Sequence, residues 1–261
     1  MLVDTHCHLT HDRFRPDLDE VLAAAAAAGT GVVVCVASDL DDAVDARRLA
    51  QDVEPGRMAP RLVHTAGVHP HQAGSAPGDL VTRLRDDLLE GAVAIGECGL
   101  DFHYDFSPRE AQRRVFHAQL ELAAETGLPV VVHCREAEAE MGEIVREAGS
   151  AGIRGVLHCF PGDLGLLEIA LESGWFVSFT GMVTFGSFEG AEAVRRVPAD
   201  RYMLETDGPY MAPAPHRGQR NEPAFISLVR DRIADLRGEA GTEVGQATTR
   251  NAGHFFGLQL T

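Results

Sequence analysis

The sequence predicts a single-domain α/β protein over residues 1–261, a (β/α)8 TIM barrel with a metal site at the C-terminal rim of its strands. Three observations carry that expectation. Short apolar runs alternate with helical patterns along the whole chain, eight such runs can be counted, and side chains of metal-binding type stand where several of them end.

Met1–Leu9 is the first strand-like run and leads to an alanine-rich helical stretch, Leu18–Ala28. Gly31–Ala37 precedes Leu40–Asp52, Arg61–Val68 precedes Asp79–Leu89, and Ala92–Glu97 precedes Pro108–Thr126. Pro129–Cys134 then leads to Glu136–Ala148, Gly155–Phe160 to Leu164–Glu172, and Trp175–Thr180 to Phe188–Arg196. The eighth run, Tyr202–Thr206, is followed by the irregular stretch Gly208–Glu222 and by the helical stretches Pro223–Leu236 and Glu243–Phe256. Several runs are almost continuous valine, as strands covered on both faces require. Gly29, Gly127, Gly149 and Gly174 mark helix stops, and Ser107-Pro108 reads as a cap followed by a first-turn proline. A doubly wound open sheet shares this alternation, so the placement of the polar residues has to decide.

Composition removes several function classes. All 23 basic residues are arginine, which excludes Schiff-base chemistry, a P-loop lysine and a carbamylated lysine bridging two metals. The five cysteines are odd in number and form no C-x-x-C pair, against a disulfide framework or a zinc knuckle. A net charge of −16 argues against broad binding of duplex DNA, yet not against a phosphate substrate, because bound cations dominate the local field. No apolar run nears the roughly 20 residues of a membrane span, and the N-terminus lacks a signal-peptide layout, so a cytoplasmic location is expected.

In Asp4-Thr5-His6-Cys7-His8 the two histidines are two apart, so a strand turns both to one side. Glu97, His133, His158 and Asp207 stand at the ends of four further runs. A carboxylate or imidazole closing an apolar run is costly unless paired or ligated, and in a barrel these ends form one rim. Six nitrogen and oxygen donors exceed the need of one tetrahedral zinc, which favours two divalent metal ions (Zn, Mg, Mn, Fe or Co) bridged by Glu97. His6 and His8 are assigned to one ion and His133 and His158 to the other. Asp207 is expected beside the attacking water as ligand and proton acceptor, and with Glu97 forms the catalytic pair. Cys7, Cys98, Cys134 and Cys159 each follow a donor and are expected to face the helices as small buried hydrophobes.

These motifs resemble the TatD family of metal-dependent hydrolases, described as TatD-type deoxyribonucleases. The resemblance rests on DTHCHL at 4–9, GVHPH at 67–71, GECGLDF at 96–102, VVVHCRE at 130–136, LHCF at 157–160, LETDGPYMAP at 204–213 and RGQRNEP at 217–223. Cys134 stands where that family often has serine. The resemblance implies a TIM barrel with divalent metals at the six positions above and hydrolysis of an ester, foremost a nucleic-acid phosphodiester.

The leading expectation is a deoxyribonuclease acting on DNA ends or single strands, with no obligate protein partner. The alternative is a hydrolase of another ester or amide on the same site, such as an aminoacyl-tRNA ester. His69 and Arg135 are expected to contact substrate, the latter because a guanidinium forks onto phosphate oxygens. Glu205 and Asp101 are expected to support ligands, Asp101 through Glu97 or a substrate group. His71 has the weaker case of the two histidines around Pro70. His216, Arg217, Arg220 and Asn221 either grip substrate or hold their loop together. His11, His64, His103, His117 and His254 are expected to face solvent or be satisfied locally.

Overall fold

A computed structural model describes residues 1–56 and 58–260. Its strands are β1 (Leu2–Cys7), β2 (Thr30–Cys35), β3 (Arg61–His64), β4 (Ile95–Asp101), β5 (Val130–Arg135), β6 (Gly155–Leu157), β7 (Phe176–Phe179) and β8 (Tyr202–Leu204). The helices between them are α1 (Leu18–Ala27), α2 (Leu40–Asp52), α3 (Leu80–Leu89), α4 (Arg109–Thr126), α5 (Glu138–Ser150), α6 (Leu164–Glu172) and α7 (Ala191–Arg196). Two more, α8 (Ile226–Arg237) and α9 (Gly241–Phe256), follow β8. Among the described residues no helix is long and apolar enough to cross a membrane.

Every strand pair is parallel, in the orders β1-β2-β3 and β4-β5-β6-β7-β8. Two seams join these arcs into a ring. Ala66, just past β3, bridges Ile95 of β4, and the Gly96 N–H donates to the Ala66 carbonyl at 2.9 Å. At the other seam Cys7 bridges Gly208, and the Asp207 N–H donates to the His6 carbonyl at 2.8 Å.

The lower barrel is filled by Val3, Val32, Val34, Val63, Ala94, Val131, Val156, Phe176 and Met203, and stoppered by Phe255 and Phe256 from the end of α9. A second apolar layer, with Leu100, Phe116, Trp175 and Tyr202, lies between the strands and the helices. Burial of this area is the main favourable contribution to folding.

Two of the eight strands invert their side-chain alternation on the way to the rim. In β1, Asp4 pairs with Val33 and Cys7 with Cys35, three residues against two. In β4, Ile95 pairs with Val130 and Cys98 with Val132, again three against two. Strict alternation from Val3 and Ala94 would turn His6 and Glu97 outward, because each lies three residues further on; the extra residue turns them inward. β5 and β6 need no such device, since Val131 and His133, and Val156 and His158, are two apart.

Several boundaries differ from those expected. Glu97 lies inside β4, which continues to Asp101, because Gly96 (φ 142°) carries the strand through its bulge and Gly99 (φ 134°) lets it run on close against β5. β6 stops at Leu157, ahead of Cys159 at φ 47°. α5 runs through Gly149, where a Cβ would stand 2.6 Å from that of Ser173, so close packing rather than a helix stop demands glycine there. Ser107 does not cap α4; it donates to the His71 carbonyl at 2.7 Å.

Candidate metal centre

Glu97 stands at the middle of the rim, 1% exposed. Its Oε2 lies 3.2 Å from His6 Nε2 and 3.5 Å from His8 Nε2. Its Oε1 lies 2.8 Å from His158 Nε2, 3.0 Å from His133 Nδ1 and 3.3 Å from His69 Nε2. One carboxylate oxygen therefore faces the β1 histidines and the other faces those of β5 and β6. Asp207 Oδ1 joins the first group, 3.6 Å from His8 Nε2 and 3.9 Å from His6 Nε2. All six expected donors converge, and His69 enters their midst where a substrate contact at the rim was expected.

The donor nitrogens are crowded. His6 Nε2 and His8 Nε2 are 3.2 Å apart, as are His133 Nδ1 and His158 Nε2. His8 Nδ1 donates to the Val36 carbonyl at 3.0 Å, which leaves the Nε2 lone pair facing inward. His133 Nε2 donates to Asp101 Oδ2 at 3.1 Å, which frees Nδ1 in the same way. Imidazole nitrogens this close need a proton or a cation between them, and two such pairs around one carboxylate fit divalent metal. Mixed imidazole and carboxylate donors suit ions such as zinc, manganese, iron or cobalt. The cysteines do not compete, because burial pushes the thiols of Cys134 and Cys159 up to about 12. Cys7 and Cys98 pack into the apolar layers and Cys134 packs against them, as expected. Cys159 departs from that pattern: its left-handed backbone brings Sγ 3.5 Å from Thr180 Oγ1.

The sequence model of the family described as TatD related DNase matches residues 3–257. The chain belongs to the TatD family. It is 38% identical over 264 residues to the Escherichia coli K12 protein named uncharacterized metal-dependent hydrolase YcfH, covering 100% of this chain and 97% of that one. It is 36% identical over 268 residues to the protein named 3'-5' ssDNA/RNA exonuclease TatD of Citrobacter rodentium, covering 99% of each. The crystal structure of YJJV, a TatD homolog from Escherichia coli K12, matches the fold with a TM-score of 0.90 at 27% identity, covering 99% of this chain and 98% of that one.

The electrostatics of this TatD-family site centre on its carboxylates. Burial raises the Glu97 carboxyl, but the charges of His158, His69 and His6 outweigh it and hold the group well below its usual range. Burial pushes Asp207 well above that range, with Glu97 and Glu205 adding to the effect against His158. His6 and His69 are driven down to about 4, chiefly by burial. His158 goes the other way: Glu97 and Glu205 overcome its burial and raise it well above the ordinary value.

Supporting residues fall partly where expected. Glu205 accepts from Ser178 Oγ at 2.6 Å and from the Cys159 N–H, and lies 3.5 Å from His158 Nδ1, in charge contact without an aligned hydrogen bond. Asp101 supports His133 and His71 rather than Glu97, taking both Nε2 atoms on Oδ2, at 3.1 and 2.9 Å. His71 thus earns a place that the sequence had weighed lightly. Arg135 reaches the rim with its guanidinium 4.5 Å from the centroid of the Tyr104 ring. The long loop is held by its own polar groups: Arg220 forks onto Asp17 at 2.6 and 2.7 Å, Asn221 Nδ2 donates to the Thr206 carbonyl at 2.7 Å, Arg217 covers Phe185, and His216 stacks on Phe225.

Three polar residues escaped sequence reasoning. Asp4, fully buried, accepts from the Thr206 N–H at 2.8 Å and from Oγ1 at 2.6 Å, tying β1 to β8; burial pushes it up to about 7. Gln112 and Gln119 of α4 clamp the backbones of Asp101 and Val68, beside two site residues. Asp4 had a signal, being two residues before His6; the glutamines had none, since polar residues on a helix ordinarily face water. His64 is also not solvent-facing: it is 5% exposed, its Nε2 has no partner among the described residues, and burial with Arg47 drives it down to about 4.

Proposed function

We propose that this chain hydrolyses phosphodiester bonds at the ends of single-stranded nucleic acid, DNA foremost, with two divalent cations held around Glu97. The observation that carries the reading is the division of Glu97, one oxygen toward His6 and His8 and the other toward His133 and His158. The relatives named single-strand exonucleases support the substrate class. A net charge of −16 suits the handling of exposed ends better than sliding along duplex.

His6, His8, Asp207 and Glu97 would hold one cation, and Glu97, His133 and His158 the other, with His69 in reach of the second. Such a pair stabilises charge on phosphoryl oxygens and lowers the pKa of water from about 16 to about 7. Asp207, whose Oδ1 lies 3.6 Å from His8 Nε2, would accept the proton of the attacking water. Val36 and Asp101 keep His8 and His133 in the tautomers that turn lone pairs inward. Arg135 is the charged group at the rim for a neighbouring phosphate.

The test is cleavage of 3′- and 5′-labelled single-stranded DNA by metal-stripped protein with Mg²⁺, Mn²⁺ or Zn²⁺ restored. Metal-dependent cleavage that Glu97→Ala lacks is expected, and the labels report its direction. A protein that binds two ions per chain yet leaves DNA and RNA strands intact sinks the nuclease reading. An aminoacyl-tRNA assayed alongside then shows whether the same centre acts on a carboxylic ester.

A further inference from the structure

Next to the metal centre, the segment after β4 holds two aromatic rings out in solvent. Tyr104 is 47% and Phe106 68% exposed, their planes are within 6° of parallel, and their centroids are 5.2 Å apart. His71 meets both rings edge-on, at 5.6 and 4.8 Å between centroids. We propose that Tyr104 and Phe106 form a stacking ledge for a nucleobase of the single-stranded substrate, with Arg135, over one face of Tyr104, supplying the charge for a nearby phosphate. This rests on the nuclease reading above.

The ledge is fixed to the catalytic rim. Asp101 Oδ1 accepts the N–H groups of His103 and Tyr104, at 3.0 and 2.9 Å, while Oδ2 takes His133 and His71. A single buried carboxylate therefore sets both a metal donor and the backbone that carries the first ring. Ser107 closes the other end, donating to the His71 carbonyl at 2.7 Å and accepting from the Gly74 N–H at 2.8 Å. A lone exposed ring would be ordinary, whereas two adjacent rings left out in solvent make a contiguous apolar patch of the kind that marks an interaction site.

The chemistry of the spot selects a nucleotide. An exposed aromatic face stacks on any base, and Arg135, whose guanidinium lies over one face of Tyr104 at 4.5 Å from its centroid, brings positive charge to the ledge for a phosphate of the bound strand. Glu136, the acidic neighbour of Arg135, pairs instead with His103 and leaves that charge available. Because stacking ignores base identity, the ledge holds strands of any sequence and excludes the interior of a paired duplex, whose bases are covered on both faces.

The test compares the metal-loaded wild type with Phe106→Ala, Tyr104→Ala and Phe106→Trp on a single-stranded oligodeoxynucleotide. A parallel set of oligonucleotides carries one abasic position walked inward from the cleaved end, and methyl p-nitrophenyl phosphate serves as a diester without a base. Phe106→Ala is expected to raise KM for the oligonucleotide roughly tenfold more than for the small diester, with the effect on KM rather than kcat, and Phe106→Trp to restore it. One abasic position should cost the wild type about as much and cost Phe106→Ala nothing further. Thermal unfolding of the alanine variants at the wild-type temperature checks that the exposed ring has no packing role. An unchanged KM in both alanine variants, with the wild type cutting the strand, overturns the ledge and leaves the nuclease intact. A wild type that hydrolyses the small diester but not the strand overturns both.

Discussion

His133 turns Nδ1 toward Glu97 and Nε2 toward Asp101, so the Asp101 carboxylate decides which nitrogen carries the proton. Asp101 can do this because it stays ionised while buried: burial raises its carboxyl, but the hydrogen bonds of His133, the Tyr104 N–H and His71 outweigh that and hold it below its usual range. Asp101→Asn keeps the size and removes the charge; with its Oδ1 held by the His103 and Tyr104 N–H groups, its NH2 faces the imidazole N–H groups of His133 and His71 and cannot accept from them. The expected result is a loss of metal affinity of about 10- to 100-fold with the fold retained, measured by competition against a chelating dye. Unaltered affinity would mean that His133 is oriented by packing alone.

At the scale of elements, the bulges of β1 and β4 decide whether the donors face the barrel axis. Gly99 is the sharpest point of that design. It sits at φ 134°, and a Cβ there would stand 2.1 Å from the His133 carbonyl oxygen on β5. Gly99→Ala must push β4 away from β5 and carry Glu97 away from His133. About 1–3 kcal/mol of destabilisation from the backbone conformation is expected, read by denaturant unfolding, together with loss of bound metal. Stability and metal content both at wild-type level would show that the strands absorb the methyl group. The same bulges mark what could be read in advance. The converging side chains were legible because a histidine or carboxylate that closes an apolar run is too costly to bury without a ligand or a partner. The eight runs were legible through their valine-rich continuity. The inversion was not, because an extra residue shows only against the register of a partner strand. For the same reason Glu97 was expected to end its strand, when in fact two glycines carry that strand on to Asp101.

At the scale of the whole molecule, the centre is also a structural joint. Donors come from β1, β4, β5 and β6 and from the turn after β8, so the site spans the seam at which β1 meets β8. Glu97, Asp101, Glu205 and Asp207 are 1%, 0%, 1% and 7% exposed, and imidazoles are their nearest positive partners. Of the four, Asp207 is the one left uncompensated, since burial holds its carboxyl well above the usual range, and a cation bound beside it would offset that cost. Because unfolding disperses side chains drawn from the length of the chain, metal held at this site would bind the native state far better than the unfolded one. Free metal at about a thousandfold its dissociation constant should then add about 4 kcal/mol. For a chain of this size that is a rise of roughly 8–16 °C in Tm. Calorimetry of the chelator-treated protein before and after metal return measures this, with Glu97→Ala alongside. The variant should unfold at one temperature in both states, because both proposed cation sites would lose the carboxylate they share. A wild type whose Tm does not move with metal would mean that the buried acids are already neutralised by their own protons and imidazoles, and the joint would then owe nothing to the ions.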